Sequence, residues 1–457
     1  MPKLKNGLSY ITKTLFFITI LPAVLAAPCH AQDSPLPTQD VQAIYQRLNA
    51  QIQKIAIFDN HGHPGFSDDP AVDAMGLPSD SSVPFRLRDN NHEFVDAAKA
   101  LFDYPYSDFA ADHLKWLAQK KAELKQRDGN DYFSKILDQV GIETAVANRV
   151  SMAPYLDPKR FKWVFFVDSF LFPFDSSHLE SQNPDMKFNV PLERKILKNE
   201  LSSQHLSHAP ADLAAYLAFV TKIVEANVKA GGVGIKFEIA YFRSLHFDDP
   251  SEIRAAAIYF KYHAGGLPSP DEYREFQDYV FRYLLREAAR LHLPIQIHSA
   301  VGGGDYFNMH EGTAINMENI LRDPRYNGVT FDLLHGGFPY DRAAIWLTAR
   351  KNVYLDSSLM GLFLFPSGLR HVLKQWLELF PDKIVFGSDT FPFSDVVGTE
   401  ETYWVAVQSA RTALAAALAE MVASNEVTEE TAIKLAQGYL HDNAAKIYAS
   451  STAAAQK

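Results

Sequence analysis

Short apolar runs alternate along this chain with amphipathic stretches of helical length, and there are eight of them. Strand–helix alternation predicts an α/β protein with a parallel sheet, and eight repeats predict that the sheet closes into a (β/α)8 barrel. The runs carry apolar residues on both sides, as strands buried on both faces must. Composition agrees: of 457 residues, 47% are hydrophobic and 21% charged, which supplies a core and excludes a disordered or collagen-like chain. A barrel with helical and loop insertions and a helical C-terminal part accounts for the length.

Residues 1–31 read as an export signal rather than as part of the fold. Lys3, Lys5 and Lys13 precede an uncharged run over 15–27, and Cys29 and Ala31 put small residues before a cleavage point after Ala31. The run is short for a permanent membrane span, and Pro28 before Cys29 disfavours a lipoprotein anchor. Residues 32–457 are then expected as one exported domain, periplasmic or secreted, with no membrane attachment after cleavage. Cleavage also removes Cys29, the one cysteine, so no disulfide can hold the remainder.

A helix is expected over 41–52. The apolar runs follow at 55–58, 142–150, 161–167, 233–239, 295–297, 329–334, 353–355 and 384–386, with helices over 211–229, 271–291, 341–351 and 368–380. Three inserts interrupt the pattern. Residues 66–135 are polar and aromatic and read as helical, with a loop near 76–88. Residues 170–210, rich in Ser, Pro and Phe, read as irregular, and 244–270 read as a long loop after the fourth strand. Long loops in a compact domain tend to be functional. From 402 to 448 the chain is Ala-rich and helical, with Thr428 capping a new helix. No other uninterrupted apolar run is long enough for a membrane span, and no short-period repeat points to a solenoid. With 54 acidic against 44 basic side chains, a sequence-independent nucleic-acid binder is disfavoured.

Residues able to do chemistry collect where the runs end. His61 and His63 are two apart, so on a strand both imidazoles face the same way. His298, His335 and Asp389 close the fifth, sixth and eighth runs. In a barrel those strand ends converge on one face, where four imidazoles and a carboxylate suit a hard or borderline divalent cation. On the fourth run Lys236 and Glu238 alternate with Ile235, Phe237 and Ile239, so both should face the interior, where a lysine needs a partner. Glu238 offers a plain ion pair. Arg243, just past that run, is a candidate for gripping a substrate carboxylate, and Glu238 is a second candidate for touching substrate.

The motif Asp59-x-His61-x-His63, with His298, His335, Asp389 and the segments 234–241, 334–340, 352–356, 383–389 and 442–448, resembles the amidohydrolase superfamily. Within it the resemblance is to the amidohydrolase-2 branch, in particular the domain that precedes a glutamine-synthetase-like domain in some fusion proteins. It spans about residues 55–448. The resemblance implies a metal-dependent enzyme acting on a small-molecule substrate. It assigns His61, His63, His298 and Asp389 to the metal, makes Asp389 the base that takes a proton from water, and makes His335 the group that polarises a substrate oxygen. Zinc is the first expectation for the ion and manganese the second. Two-metal members carboxylate a lysine at the end of strand four, a role open to Lys236; one ion beside an unmodified Lys236 is the expectation here. The branch holds hydrolases, decarboxylases and hydratases, and related barrels include sugar-acid isomerases, so the reaction has to be argued from the site. Hydrolysis of a small amide, ester or lactone bearing a carboxylate is the first expectation. Decarboxylation or isomerisation of a small organic acid is the second. A non-catalytic binding protein is the third, disfavoured because all five site positions are present. Assembly into a homo-oligomer stays open.

Overall fold

Eight strands form one sheet in chain order: β1 (Ile57–Gly62), β2 (Ile142–Arg149), β3 (Phe161–Phe166), β4 (Gly232–Phe237), β5 (Ile295–Ile297), β6 (Phe331–Leu333), β7 (Val353–Asp356) and β8 (Ile384–Val385). Every consecutive pair is parallel. The structure, a computed structural model, describes residues 40–76, 82–394 and 396–455, with side chains through 449. The expected export signal lies outside the described residues.

Irregular backbone brings β8 round to β1. Asn60 N–H donates to the Phe386 carbonyl at 3.0 Å, Asp389 N–H to that of His61 at 2.8 Å, and His63 N–H to that of Thr390 at 2.7 Å. Asp59 adds a side-chain clasp, accepting from both the N–H and the hydroxyl of Ser388 at 2.7 Å. The result is the (β/α)8 barrel expected from the eight apolar runs. β1 runs further toward its carboxyl end than expected, so His61 lies within the strand and His63 just beyond it.

One end of the barrel is plugged by apolar side chains. Phe58, Val146, Val164, Val233 and Val385 pack with Ala444, Ile447 and Tyr448 from the C-terminal segment. Tyr448 stacks on Phe58 with ring centroids 5.8 Å apart. The polar strand-end residues lie at the opposite, carboxyl end.

The surrounding helices follow local rules. Val41–Ile52 is capped by Asp40, which accepts from Gln42 and Ala43 N–H, and buries Ile44, Leu48 and Ile52 along one stripe. Pro270–Leu291 starts with Ser269 as cap and Pro270 in its first turn. Thr428 accepts from Thr431 N–H at 3.1 Å, as its position predicts. Among the described residues one helix, Thr399–Ala423, is long and apolar enough to cross a membrane, and 78% of its apolar window is buried inside the protein.

Three expectations need correction. The insert over 170–210 is not irregular: it holds the helices Ser177–Gln182 and Met186–Ser203. The latter buries Met186, Val190, Leu197 and Leu201, but Asn189 and Glu193 occupy the same buried stripe, and polar residues there break the helical signal. The stretch 244–270 is not all loop, since Glu252–Tyr262 is helical behind a Ser251 cap. The helix expected over 341–351 is one α-turn, Asp341–Ala344, followed by the 3-10 turn Ile345–Ala349.

Candidate metal centre

His61 and Asp389 face each other because their backbones are bonded to each other, the Ser388–Asp59 clasp fixing the approach. His61 Nε2 stands 3.1 Å from Asp389 Oδ1, and His63 Nε2 3.6 Å from the same oxygen. Donor atoms of His61, His63 and Asp389 all lie within 4.8 Å of one another, and all three residues are buried. Burial holds both imidazoles well below their usual pKa, so they are neutral and keep a lone pair to give.

Gln296 decides which nitrogen of His61 carries that lone pair. Its Nε2, with two hydrogens to give, has three acceptors in reach: the Asn60 carbonyl at 2.7 Å, Asp332 at 3.1 Å and the Tyr448 hydroxyl at 2.8 Å. The amide is thereby oriented, and its Oε1 meets His61 Nδ1 at 3.1 Å. An oxygen there requires Nδ1–H, which leaves Nε2 as the free donor atom. Among the described residues His61 Nε2 has no hydrogen-bond partner. A cluster of buried, neutral imidazoles with an orphaned nitrogen beside a carboxylate fits a divalent cation.

His298 stands outside that triplet, packed against the rings of Tyr241 and Phe307, which also touch each other. Its Nδ1 meets His335 Nε2 at 2.9 Å, and its buried Nε2 has no hydrogen-bond partner among the described residues. His335 Nδ1 meets the Ser358 hydroxyl at 3.0 Å and lies 3.8 Å from Asp389 Oδ2. Burial lowers His335 to about 3, so this ring too is neutral. If His298 gives its Nε2 lone pair to a metal, its Nδ1–H must donate to His335. His335 Nε2 is then an acceptor, with no N–H left there for a substrate oxygen. Both His335 nitrogens have partners in this arrangement, His298 Nδ1 and the Ser358 hydroxyl.

Strain marks the same residues. His335 and Asp389 have φ of 60° and 53°, a left-handed backbone uncommon outside glycine. Gly336 continues that turn at φ 62°, where a Cβ would fall 2.5 Å from Trp376.

Lys236 and Glu238 point inward together, with Nζ 3.6 Å from Oε1. Glu238 also belongs to a second group with donor atoms within 4.8 Å of one another, formed with His63 and Asp73. Arg243 goes elsewhere. Its guanidinium pairs with Asp278 at 2.7 Å, donates to the carbonyls of Ser244 and His246, and lies over the Phe247 ring. It anchors its own loop to the helix Pro270–Leu291, which corrects its reading as a grip on substrate.

Four contributors were not foreseen: Gln296, Asp73, Asp168 and Glu193. Gln296 sits two residues before His298 on β5, so strand alternation carried its signal. Asp168 follows the third run directly, the same strand-end position that marked the others.

Residues 220–449, half of the chain, match the family model described as amidohydrolase. Protein fluG of Emericella nidulans is 25% identical over 243 residues, 50% of this chain but 27% of fluG, so the chain spans about a quarter of that curated relative's length. The fold is similar to that of a Lactobacillus casei protein assigned as a metal-dependent hydrolase, with TM-score 0.56, 19% identity, and 88% of this chain and 97% of that one covered. It is similar as well to the uronate isomerase of Thermotoga maritima, with TM-score 0.59, 12% identity and coverage of 89% and 97%. Glucuronate isomerase of Caulobacter crescentus gives TM-score 0.55 at 14% identity, covering 91% and 95%. At these identities the three structures speak to the fold alone. The family match over β4–β8, set beside a barrel that gathers histidines and an aspartate at its strand ends, places the chain in the amidohydrolase superfamily, in its amidohydrolase-2 branch.

Proposed function

We propose that this protein is a metal-dependent hydrolase of small amides, esters or lactones. The observation that carries the reading is the triplet of His61, His63 and Asp389, with their donor atoms within 4.8 Å of one another and His61 Nε2 buried without a hydrogen-bond partner. One divalent ion is proposed, zinc before manganese, because imidazole nitrogens lead the donor set. His61 and His63 hold it through Nε2, Asp389 through a carboxylate oxygen, and His298 contributes its unpartnered Nε2. When bound, the ion supplies Lewis acidity that brings the deprotonation of water toward neutral pH.

The chain's own groups do the rest. Asp389 takes the proton of the attacking water and returns it to the leaving group. Gln296 keeps the His61 lone pair on Nε2, and His335 plays the same part for His298 by accepting from its Nδ1–H. Lys236 stays an ordinary ammonium paired with Glu238.

Decarboxylation or isomerisation of an organic acid on the same site is the second reading. Charge favours hydrolysis of a non-acidic substrate, in place of the carboxylate-bearing one expected from the sequence. Asp73, Asp168 and Glu193 all act on Glu238, which has one lysine, Lys236, beside it, and Arg243 is committed to Asp278. An acid substrate would meet carboxylates. The test incubates zinc-loaded protein with a panel of amides, esters and lactones in isotopically labelled water. Label in the released acid is the expected result. Release of carbon dioxide, or sugar-acid interconversion without label, would transfer the assignment to the second reading. Export is proposed alongside, from the sequence of residues 1–31, and a mature N-terminus near Gln32 is the check.

A further inference from the structure

Beside the triplet stands a second, more acidic wall, and part of it comes from an insert. Asp168 accepts the Glu238 N–H with both carboxyl oxygens, at 3.0 and 2.9 Å. Glu193 reaches in from the helix Met186–Ser203. That helix is fastened across the barrel mouth at two points. Asn189 accepts Gly76 N–H at 3.1 Å in the loop that carries Asp73, and Asp185 accepts Tyr306 N–H at 2.9 Å in the loop beyond β5. Asn189 and Glu193, one turn apart, share the face that is buried there.

Glu193 is 1% exposed, and among the described residues neither of its carboxyl oxygens has a hydrogen-bond partner. Glu238, 3% exposed, has an unpartnered Oε2 on the same terms. Burial first, and then the neighbouring Asp168 and Asp73, push the Glu193 carboxyl well above its usual range. Lys236 faces Glu238, with Nζ 3.6 Å from Oε1. Buried acceptors without donors are costly, so an occupant that brings donors and positive charge is what this wall suits.

A second metal ion suits it less well. His63 gives Nε2 to the first centre, so its Nδ1 keeps a proton and offers no lone pair to another ion. The remaining donors are carboxylates sharing their space with the Lys236 ammonium, which repels a doubly charged ion more than a singly charged one.

We propose that Glu193, Glu238 and Asp73 form the seat for a protonated amine of the substrate, presenting the reactive bond of an amine-bearing amide or ester to His61, His63 and Asp389. This deepens the hydrolase reading and rests on it. The test titrates three amides that differ at one end, glycinamide, N-acetylglycinamide and malonamate, into the zinc-loaded full chain by calorimetry. The ammonium form is expected to bind at least about tenfold tighter than the neutral and anionic ones. Glu193→Gln should lower glycinamide affinity about tenfold, toward that of N-acetylglycinamide, with zinc content unchanged. Glu193→Met is the second variant, and thermal melts show that each folds. Equal affinity for the three amides, preference for malonamate, or unaltered glycinamide affinity in both folded variants would overturn the proposal. So would a second zinc per chain that disappears in both variants. Wild type that binds no zinc would sink the metal-centre reading instead, while the glycinamide preference and its loss in Glu193→Gln are still read.

Discussion

Replacing Gln296 with Met should loosen the metal without touching a ligand. Gln296 Oε1 is the acceptor that keeps the His61 proton on Nδ1, 3.1 Å away, and the orientation of that amide is itself enforced by the three acceptors around its Nε2. Methionine fills a similar volume but accepts poorly. In the metal-free protein His61 is then free to move its proton to Nε2, and binding must undo that or leave Nδ1–H buried and unpaired. Loss of such a supporting bond costs about 10–100-fold in metal affinity, which is about 1.4–2.8 kcal/mol. Asn60 O, Asp332 and Tyr448 lose a donor as well, so stability should fall by about 1–3 kcal/mol. The two effects separate experimentally: chelator competition gives zinc affinity, and melting of the metal-free protein gives stability. Tyr448→Phe removes one of the three acceptors and leaves the His61 contact in place, so it should lower stability with little change in zinc affinity. Wild-type zinc affinity in folded Gln296→Met would refute the argument that this amide selects the His61 tautomer.

His61→Ala and His63→Ala should each lose the ion, read by elemental analysis; unchanged content in both would show that the donor set is wrong. Arg243→Ala should destabilise by about 3–5 kcal/mol, because Asp278 is left buried without its partner, and should leave malonamate affinity unaltered in the folded fraction; denaturant melts and calorimetry check the two halves. Asp323 accepts from Arg325 and, at 3.2 Å, from Arg282, and its carboxyl is lowered to about 2, with the Arg325 hydrogen bond the main cause. A depressed carboxylate contributes stability that is complete above the unfolded value near 3.9 and is lost as pH falls toward 2. Asp323→Asn should therefore flatten the decline in melting temperature between pH 4 and pH 2.5, and an unchanged slope would count against the pairing.

The barrel was legible because each strand is buried on both faces and reads as an apolar run, whatever its neighbours do. The strand-end histidines and Asp389 were legible because parallel topology alone brings those ends together. Arg243 was misjudged because its position past β4 says nothing about Asp278, a partner on a later helix. The helix Met186–Ser203 was hidden by its own chemistry. On an amphipathic stripe, Asn189 and Glu193 stand where apolar residues define the period, and Pro191 interrupts between them. The residues that concealed the helix are the ones that fasten it and face the site. A polar residue on an otherwise apolar stripe is therefore a reason to look for a partner across the interface, not a reason to abandon the helix.

Where each group comes from separates holding the ion from choosing what meets it. The ligands sit on or next to barrel strands tied by main-chain hydrogen bonds, such as Asp389 N–H to the His61 carbonyl, so their spacing is set by the sheet. Asp73 and Glu193 come from a loop and a helix inserted between strands, and Asp168 from the end of β3. The family match over 220–449 does not draw that line by itself, since the ligands His61 and His63 lie outside it with Asp73, Asp168 and Glu193, and Glu238 lies inside it with His298 and Asp389. Side chains on an insert can change without disturbing strand pairing. Substitution at Glu193 should accordingly alter which small molecules bind while zinc stays, and substitution at His61 should do the reverse. The two variants together test whether the barrel supplies the chemistry and the inserts supply the selection.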